Sequence, residues 1–231
     1  MLDRLAPPLQ RALWELGWTG LRDSQAAALP LILDTQDDVV ISAATAAGKT
    51  EAAFLPLLTR LWNATQPTSG ADSAAVVQGV ILYVAPVKAL INDQVERLQH
   101  FCERMDIPVY PWHGDVAQTG RKRFFASPRG VVLITPESLE SLLFRRGAAV
   151  PQIFAALQAV VVDELHAFMG NVRGRQLQSL LHRLEARLGR RVQRIGLSAT
   201  LGDMGLAADF LRPGLGQAVK LIVSAAEKRS L

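Results

Sequence analysis

A short alanine-rich stretch carries residues that could hold a chain of phosphates. It reads ISAATAAGKTE over residues 41–51 and includes Gly48, Lys49 and Thr50. A phosphate-binding loop needs inward-facing backbone N–H groups above a helix N-terminus, a lysine for the outer phosphates and a hydroxyl for magnesium. The full pattern G-x-x-x-x-G-K-[ST] fails at its first position, which is Ala43 here. By itself the stretch predicts either a nucleotide site or a plain turn of small residues.

A pair of acids after an apolar run is the second group that could do chemistry. The run VVVDELH covers residues 160–166 and contains Asp163, Glu164 and His166. Acids at the end of an apolar strand are costly to bury, so we expect a cation or hydrogen-bond donors to compensate them. Beside a phosphate loop, Asp163 would hold Mg²⁺ through water, and Glu164 would orient and deprotonate the attacking water. The alternatives are solvated acids that cap a strand, and a structural histidine instead of a γ-phosphate sensor or relay.

Both groups follow segments that resemble strands of one sheet. Five runs rich in Val and Ile predict strands buried on both faces of a parallel sheet. They cover residues 38–43, 79–86, 130–136, 159–164 and 194–200, with weaker candidates at 107–112 and 218–223. Helical periods alternate with the strands, at 51–62, 88–104 and 173–189. The alternation predicts an α/β fold, a wound parallel sheet with helices on both faces, and ligands bind such sheets beyond the carboxyl ends of the strands.

Composition narrows the class of protein. The chain has 231 residues, 49% of them hydrophobic, which is enough for one α/β domain with a packed core. Its net charge of +4 is compatible with a polyanionic partner but does not identify one. Cys102 is the only cysteine, so an internal disulfide and a thiolate zinc cluster are excluded. No apolar run has membrane-spanning length and no signal peptide is visible, so we expect a cytoplasmic protein without a membrane partner.

The order of the motifs resembles the first RecA-like domain of superfamily 2 helicases of the DExH-box type. The matching segments are GWTGLRDSQAAALP (17–30) for the Q-motif region, AATAAGKT (43–50) for motif I, APVKALINDQ (85–94) for motif Ia, TPESLESLL (135–143) for motif Ib, DELH (163–166) for motif II and SAT (198–200) for motif III. GKTEAAF, HGD and GLSATLGD are similar to segments of Lhr-type large helicases and their relatives. The resemblance covers about residues 14–225, and six motifs in this order are very specific.

The resemblance implies a RecA-like phosphate-loop NTPase with ATP and Mg²⁺ as cofactors. It implies nucleotide contacts from Arg22, Gln25, Thr45, Ala46, Ala47, Gly48, Lys49, Thr50 and Glu51. It implies catalytic roles for Lys49, Asp163, Glu164 and His166, magnesium binding by Thr50 and Asp163, and coupling through Ser198, Ala199 and Thr200. Gln25 would read the adenine. Family members commonly have glycine where this chain has Ala46, and this departure bears on the affinity for ATP, which the sequence leaves open, more than on the identity of the loop.

In the same family, motifs Ia and Ib hold the phosphates of one nucleic-acid strand. The implied contacts here are Pro86, Lys88, Thr135, Pro136, Glu137, Ser138 and Arg173. Thr135 and Pro136 also fit a routine helix cap, and a capped helix start remains an anion site. Basic clusters at 121–123, 145–146, 173–175 and 190–191 are either solvated helix faces or binding patches. Arg173 and Arg175 are favoured for binding because they follow DELH closely.

The expected organisation has three parts. Residues 1–30 would form a helical segment with the Q-motif region, 31–225 the RecA-like domain, and 226–231 the start of a linker to a second RecA-like domain. We expect an ATP-binding motor domain of a nucleic-acid-dependent ATPase or helicase, with a DNA or RNA strand and the second domain as partners. Alone it should be a weak ATPase that does not unwind duplexes. The alternatives are a catalytically idle binding module on the same fold and a small-molecule kinase.

Overall fold

All the runs predicted as strands form one parallel sheet. A computed structural model describes residues 1–44, 48–65, 79–116, 118–199 and 203–224. Within them the strands are β1 Val39–Ser42, β2 Val80–Val84, β3 Val109–Trp112, β4 Gly130–Ile134, β5 Leu157–Val162, β6 Gln193–Ser198 and β7 Lys220–Val223. Their order is β3-β4-β2-β5-β6-β1-β7, and every neighbouring pair is parallel. We call the side where all strands end the carboxyl edge and the opposite side the amino edge.

Helices cover both faces of this sheet, as predicted. The described α-helices are α1 Pro7–Glu15, α2 Asp23–Asp34, α3 Lys49–Thr65, α4 Lys88–Cys102, α5 Gln118–Ala126, α6 Pro136–Arg145, α7 Val150–Ile153, α8 Val172–Leu188 and α9 Met204–Leu211. Short 3₁₀ turns occupy Leu2–Arg4, Glu103–Met105, Gly147–Ala149, Leu165–Ala167 and Gly216–Ala218. None of the described helices has the length and apolar composition that crossing a bilayer requires.

Successive residues of each strand enter two different hydrophobic cores. In β1, Val39 and Ile41 pack with α1 to α4, whereas Val40 packs with α5 to α9. A strand covered on both faces needs apolar side chains at every position, which explains the continuous Val and Ile runs. The edge strands β3 and β7 are only partly buried, and their sequence signal is correspondingly weaker.

The N-terminal segment is part of one of these cores. Leu9, Leu13, Leu29 and Ile32 are buried in the same cluster as Ile41 of the central strand. Full burial of a leucine side chain contributes about 1.5–3 kcal/mol. Segment 1–30 therefore packs on the sheet as part of its core. The domain limits at 30/31 and 225/226 stay predictions, and the expected linker 226–231 lies outside the described residues.

Candidate functional site

Three adjacent strands bring the chemistry-bearing motifs to one place on the carboxyl edge. The strands β5, β6 and β1 are neighbours, and motifs II, III and I follow them in that order. Ser42 at the end of β1 is in register with Ser198 of β6, and its hydroxyl donates to the carbonyl of Ala199 at 3.3 Å. The expected convergence of these motifs is therefore present among the described residues.

The end of the phosphate-loop segment requires glycine for two reasons. Gly48 has a φ of +82°, and a Cβ there would lie 2.5 Å from Nε2 of Gln25. Lys49 begins α3, and its amine donates to the carbonyl oxygens of Ala43 at 2.7 Å and Ala44 at 3.3 Å. The lysine side chain thus turns back over the end of β1. The predicted contacts of Thr45, Ala46 and Ala47 lie outside the described residues.

Gln25 connects the start of α2 to this loop. Its Oε1 accepts a hydrogen bond from the Arg22 backbone N–H at 2.9 Å, and its Nε2 donates to the Gly48 carbonyl at 3.4 Å. The first contact belongs to a capping box, which satisfies an otherwise unpaired helix-start donor. Since both ends of the amide contact the protein and the residue is 2% exposed, adenine recognition by Gln25 stays a prediction. Glu51, in the first turn of α3, forms an ion pair with Arg97 at 2.6 Å.

Asp163 is buried directly after β5. Its Oδ2 accepts a hydrogen bond from the Tyr83 hydroxyl, and its Oδ1 accepts one from the Glu164 backbone N–H at 2.9 Å. Burial raises the pKa of Asp163, and the two hydrogen bonds and the nearby Lys49 ammonium counteract this shift only in part. The Lys49 and Asp163 side chains both follow strands at the carboxyl edge, and the positive charge of Lys49 is one of the influences that lower the pKa of Asp163.

Glu164 has an uncommon backbone conformation. Its φ of 46° and ψ of 50° lie in the left-handed region, which a residue with a side chain adopts only at a cost. Strained residues of this kind cluster at functional sites. The His166 ring nitrogen Nδ1 lies 3.1 Å from Ser198 Oγ and 3.3 Å from Glu164 Oε2. His166 therefore links motif II to motif III, an arrangement suitable for a relay, while Thr200 lies outside the described residues.

Tyr83 is a residue of this site that the sequence reasoning missed. It lies in the middle of β2, in register with Val161, and its side chain is fully buried. From there the hydroxyl reaches Asp163, which is two residues beyond Val161 on the same face of the sheet. The available signal was the polar tip of a tyrosine in an otherwise apolar strand, because a buried tyrosine hydroxyl needs a hydrogen-bond partner.

The predicted nucleic-acid contacts lie on the neighbouring part of the carboxyl edge, after β2 and β4. Thr135 is the N-cap of α6 and accepts a hydrogen bond from the Ser138 backbone N–H at 3.3 Å, and Pro136 is the first helical residue, so the predicted cap is confirmed. Pro86 lies between β2 and the start of α4 at Lys88.

Both predicted basic contacts carry a carboxylate partner. The Lys88 amine lies 2.8 Å from Asp115. Nε of Arg173 lies 2.7 Å from Glu137, and a second nitrogen donates to the other oxygen at 3.0 Å. Burial would raise the pKa of Glu137, but the hydrogen bond from Arg173 lowers it below its usual range. Neither cation is therefore free to meet a phosphate without first leaving its partner.

The residues present fit a triphosphate that carries a divalent cation. Within the described ranges, no group of three or more His, Cys, Asp and Glu side chains could hold a metal ion. Magnesium is usually bound through one or two carboxylates together with substrate phosphates, and a single buried carboxylate such as Asp163 suits that arrangement. The Thr50 hydroxyl, in the first turn of α3, would be the matching protein ligand.

Comparisons with known proteins point to one family. Residues 22–206 match the family model of the DEAD/DEAH box helicases. The Lhr helicase and probable uracil glycosylase of Mycolicibacterium smegmatis is 36% identical over 214 residues, which are 87% of this chain and 13% of that protein. The ATP-dependent helicase Lhr-Core of Methanothermobacter thermautotrophicus is 31% identical over 186 residues, 75% of this chain and 20% of that protein.

Solved structures give the same result. The structure of Mycobacterium smegmatis helicase Lhr bound to ssDNA and AMP-PNP matches with a TM-score of 0.75 and 31% identity, over 96% of this chain and 28% of that one. The helicase MrfA matches with a TM-score of 0.80 over 97% of this chain and 33% of that one, but at 23% identity it supports the fold alone. This chain spans only a minor part of its relatives. It belongs to the DEAD/DEAH box helicase family, as a RecA-like domain similar to the first such domain of the Lhr helicases.

Proposed function

We propose that this chain is the ATP-binding first motor domain of a nucleic-acid-dependent ATPase. The observation that carries the proposal is the placement of Lys49, at the start of the helix after β1, and of the buried Asp163, directly after β5, at the same carboxyl edge of one parallel sheet. A lysine at a helix start and a buried acid together suit a triphosphate with its cation.

The residues of the site divide the work of phosphoryl transfer to water. Backbone N–H groups at Gly48 and the start of α3 bind phosphate oxygens, and the Lys49 amine leaves its backbone acceptors to bind the outer phosphates. Thr50 and Asp163 are the residues that would hold Mg²⁺, and the ion would neutralise charge on the phosphates. Glu164 orients the attacking water and accepts its proton.

The contact of His166 with Ser198 connects this chemistry to the next strand. A change in the position of Glu164 reaches β6 through the imidazole, because His166 lies within hydrogen-bond range of both side chains. We assign Ser198, Ala199 and Thr200 to this coupling. Arg22 and Gln25 contact the adenine side of the nucleotide, and Glu51 supports the helix that starts at Lys49.

A nucleic-acid strand passes the N-termini of α4 and α6. Pro86 and Lys88 contact it after β2, and Thr135, Pro136 and Ser138 contact it after β4, since backbone N–H groups and hydroxyls at helix starts hold phosphates without reading bases. Glu137 and Arg173 form the adjacent ion pair. The similarity to a helicase solved with ssDNA supports this path.

A second RecA-like domain completes the motor. The relatives are several times longer than the residues they share with this chain. In two-domain motors the second domain supplies arginines that stabilise the developing phosphoryl charge. We therefore expect the 231-residue chain by itself to bind ATP·Mg weakly, to hydrolyse it slowly and not to unwind a duplex.

Titration with a fluorescent ATP analogue and Mg²⁺ tests the site. Lys49→Ala should weaken binding by about tenfold or more, because hydrogen bonds to charged groups contribute about 1.5–3 kcal/mol and 1.4 kcal/mol is a factor of ten. Lys220→Ala is the matched control, since that lysine is exposed and lies beside Asp37 at the amino edge. Equal affinities for the native chain and Lys49→Ala would support an idle binding module instead.

Turnover measurements test the motor role. Steady-state ATP hydrolysis is compared without nucleic acid, with single-stranded DNA and with single-stranded RNA, alongside a strand-separation assay. Slow hydrolysis without strand separation is expected for the chain alone. Robust unwinding by the 231 residues would show that a second RecA-like domain is not needed.

A further inference from the structure

Helix α6 has two sides with different charges. The side towards α8 carries Glu137, which pairs with Arg173, and Glu140, which accepts a hydrogen bond from Gln176 at 2.8 Å. The side towards α5 carries Ser138, Ser141 and Arg145, residues spaced three and four apart that share one face of a helix. Both acids have partners on α8, whereas Ser138, Ser141 and Arg145 line the α5 side; Ser141 and Arg145 also border a second pocket together with the two acids.

A cavity of about 280 Å³ lies between this second side and α5. We call it the α5–α6 basic cavity. Its lining includes four cationic and two aromatic side chains, Arg121, Lys122, Arg145, Arg146, Trp112 and Phe125. No carboxylate lines the cavity among the residues that the structure describes. Like charges gathered this closely repel one another, so an anion bound there would be stabilised.

Two of the guanidinium groups are held in place by aromatic rings. The Arg121 guanidinium lies 5.3 Å from the centre of the Trp112 ring, and that of Arg146 lies 4.4 Å from the centre of the Phe125 ring. Cation–π contacts of this kind fix the cation without neutralising its charge. Arg121 also donates to the His113 carbonyl at 2.7 Å. These arginines are therefore preorganised for an acceptor.

Two observations separate these cations from the ones predicted to bind nucleic acid. Among the described residues, none of the four forms an ion pair, whereas Lys88 and Arg173 both do. Nε of Arg121 is in addition buried and has no hydrogen-bond partner in the described part of the chain. Buried donors are nearly always satisfied, so the described residues leave one polar atom of Arg121 without the partner that such a donor normally has.

We propose that the α5–α6 basic cavity binds backbone phosphates of the nucleic-acid strand beyond its contact with the start of α6. The inference rests on the proposed function and extends its path, because Ser138 belongs both to the first turn of α6 and to the cavity lining. From Ser138 to Arg145 the helix rises about 10 Å, at roughly 1.5 Å per residue. A row of this length suits successive phosphates of a strand and exceeds the size of a single inorganic anion.

Fluorescence anisotropy with a labelled single strand, measured over a range of salt concentrations, tests the cavity. The double variant Lys122→Gln with Arg145→Gln removes two cations that hold no described ion pair. The matched control, Arg11→Gln with Lys220→Gln, removes the same charge from α1 and from β7, the strand at the opposite end of the sheet from β3. Each lost phosphate contact lowers the slope of log affinity against log salt by about 0.7 for single strands, so the cavity variant should lose about 1.4 and the control about 0.

The outcomes distinguish the cavity from the wider proposal. If the native chain binds no single strand at all, the nucleic-acid part of the proposed function fails and the cavity proposal fails with it. If the native chain binds and the cavity variant retains the slope of the control, the cavity proposal alone is wrong. Competition by polyglutamate at equal charge concentration should be weak, and displacement as effective as that by an unlabelled strand would reduce the cavity to a general anion site. ATP-analogue affinity should be the same in both double variants, which checks that the fold is intact.

Discussion

Asp38 and Asp163 are buried carboxylates of the same sheet, but they lie at opposite edges and have opposite surroundings. Asp38 directly precedes β1 at the amino edge, and Asp163 directly follows β5 at the carboxyl edge. Their side chains are almost completely withdrawn from water. A buried carboxylate is costly in either place, so the comparison shows what each edge uses to compensate that cost.

At the amino edge the compensation is complete and comes from arginines. Arg212 donates to both oxygens of Asp38 at 2.6 and 3.0 Å, Arg191 donates at 2.5 Å and the Arg194 backbone N–H at 2.7 Å. Glu185 extends the network, 2.8 Å from Arg212 and 2.6 Å from Arg194. Burial would raise the pKa of Asp38, but the hydrogen bonds from Arg212, Arg194 and Arg191 lower it below its usual range.

At the carboxyl edge the compensation is partial. Among the described residues Asp163 accepts hydrogen bonds from a neutral hydroxyl and one backbone N–H, and no arginine contacts it. Burial raises its pKa, and Lys49 counteracts the shift only from a distance. The difference shows which acid is structural. An acid that accepts hydrogen bonds from several arginines holds elements together, whereas one whose buried charge is only partly compensated is suited to bind an additional cation.

Removing Arg212 should have the largest effect. Breaking a buried ion pair costs about 3–5 kcal/mol, because the remaining charge is left uncompensated, so Arg212→Ala should lower the free energy of unfolding by that amount in urea denaturation. A loss below about 1 kcal/mol would contradict the structural role of the network, since that is the range of exposed pairs.

The pH dependence gives an independent check of the same network. The pKa of Asp38 is lower in the folded state, so its contribution to stability is present above the unfolded value, near 3.9, and is lost as the pH falls through the folded value. Stability of the native chain should fall as the pH drops below about 4. In Arg212→Ala the stability should fall less steeply with decreasing pH. An unchanged dependence of stability on pH would mean that Arg212 is not what lowers the pKa of Asp38.

Tyr83→Phe should have the next largest effect. The substitution keeps the ring beside Phe54, 5.8 Å away between ring centres, and removes only the hydroxyl that donates to Asp163. A hydrogen bond to a charged group contributes about 1.5–3 kcal/mol, so stability at neutral pH should fall by that amount. Because this hydrogen bond lowers the pKa of Asp163, its loss should also shift the acid limb of ATP turnover to higher pH. If the acid limb of ATP turnover lies at the same pH in Tyr83→Phe as in the native chain, Tyr83 contributes packing and does not affect the pKa of Asp163.

The strands and the convergence of the motifs were predictable because both follow local rules. Runs such as 79–86 and 159–164 are apolar at every position since each strand is covered on both faces. Lys49 and Asp163 were expected to meet because both follow strands of one parallel sheet, whose carboxyl ends share an edge. Thr135 and Pro136 predicted the start of α6, because threonine is a common N-cap and proline is common at the first helical position.

The compensating partners were not predictable, because they are distant in the chain. Arg212 lies 174 positions from Asp38, and Tyr83 lies 80 positions from Asp163. Only the strand order brings them together, and nothing in the runs themselves specifies that β6 lies between β5 and β1. The cluster 190–191 was therefore interpreted as a helix face or a binding patch, although Arg191 contacts Asp38 at the amino edge.

Asp163→Asn should act in the opposite direction to Arg212→Ala. The folded-state pKa of Asp163 is raised, so the ionised acid costs stability at neutral pH, and this cost is relieved as the pH falls through the folded value. The amide removes the charge at every pH, and a single stabilising substitution typically gains about 0.5–2 kcal/mol. Urea denaturation in metal-free buffer measures the gain, while ATP turnover should be lost. Destabilisation would show that Asp163 is compensated as fully as Asp38.

Glu137→Gln should change stability least, because its ion pair with Arg173 is largely exposed. Exposed pairs contribute about 0.2–1 kcal/mol, so the free energy of unfolding in urea should change by no more than that. A loss of about 3 kcal/mol would mean that this pair stabilises the fold as strongly as the amino-edge network.

The substitution Glu137→Gln also frees the Arg173 charge beside the start of α6. Affinity for a single strand should then rise, with a slope of log affinity against log salt steeper by about 0.7. Glu140→Gln is the control, since its partner Gln176 is neutral and no cation is released. Equal slopes in the two variants would mean that Arg173 does not meet the strand.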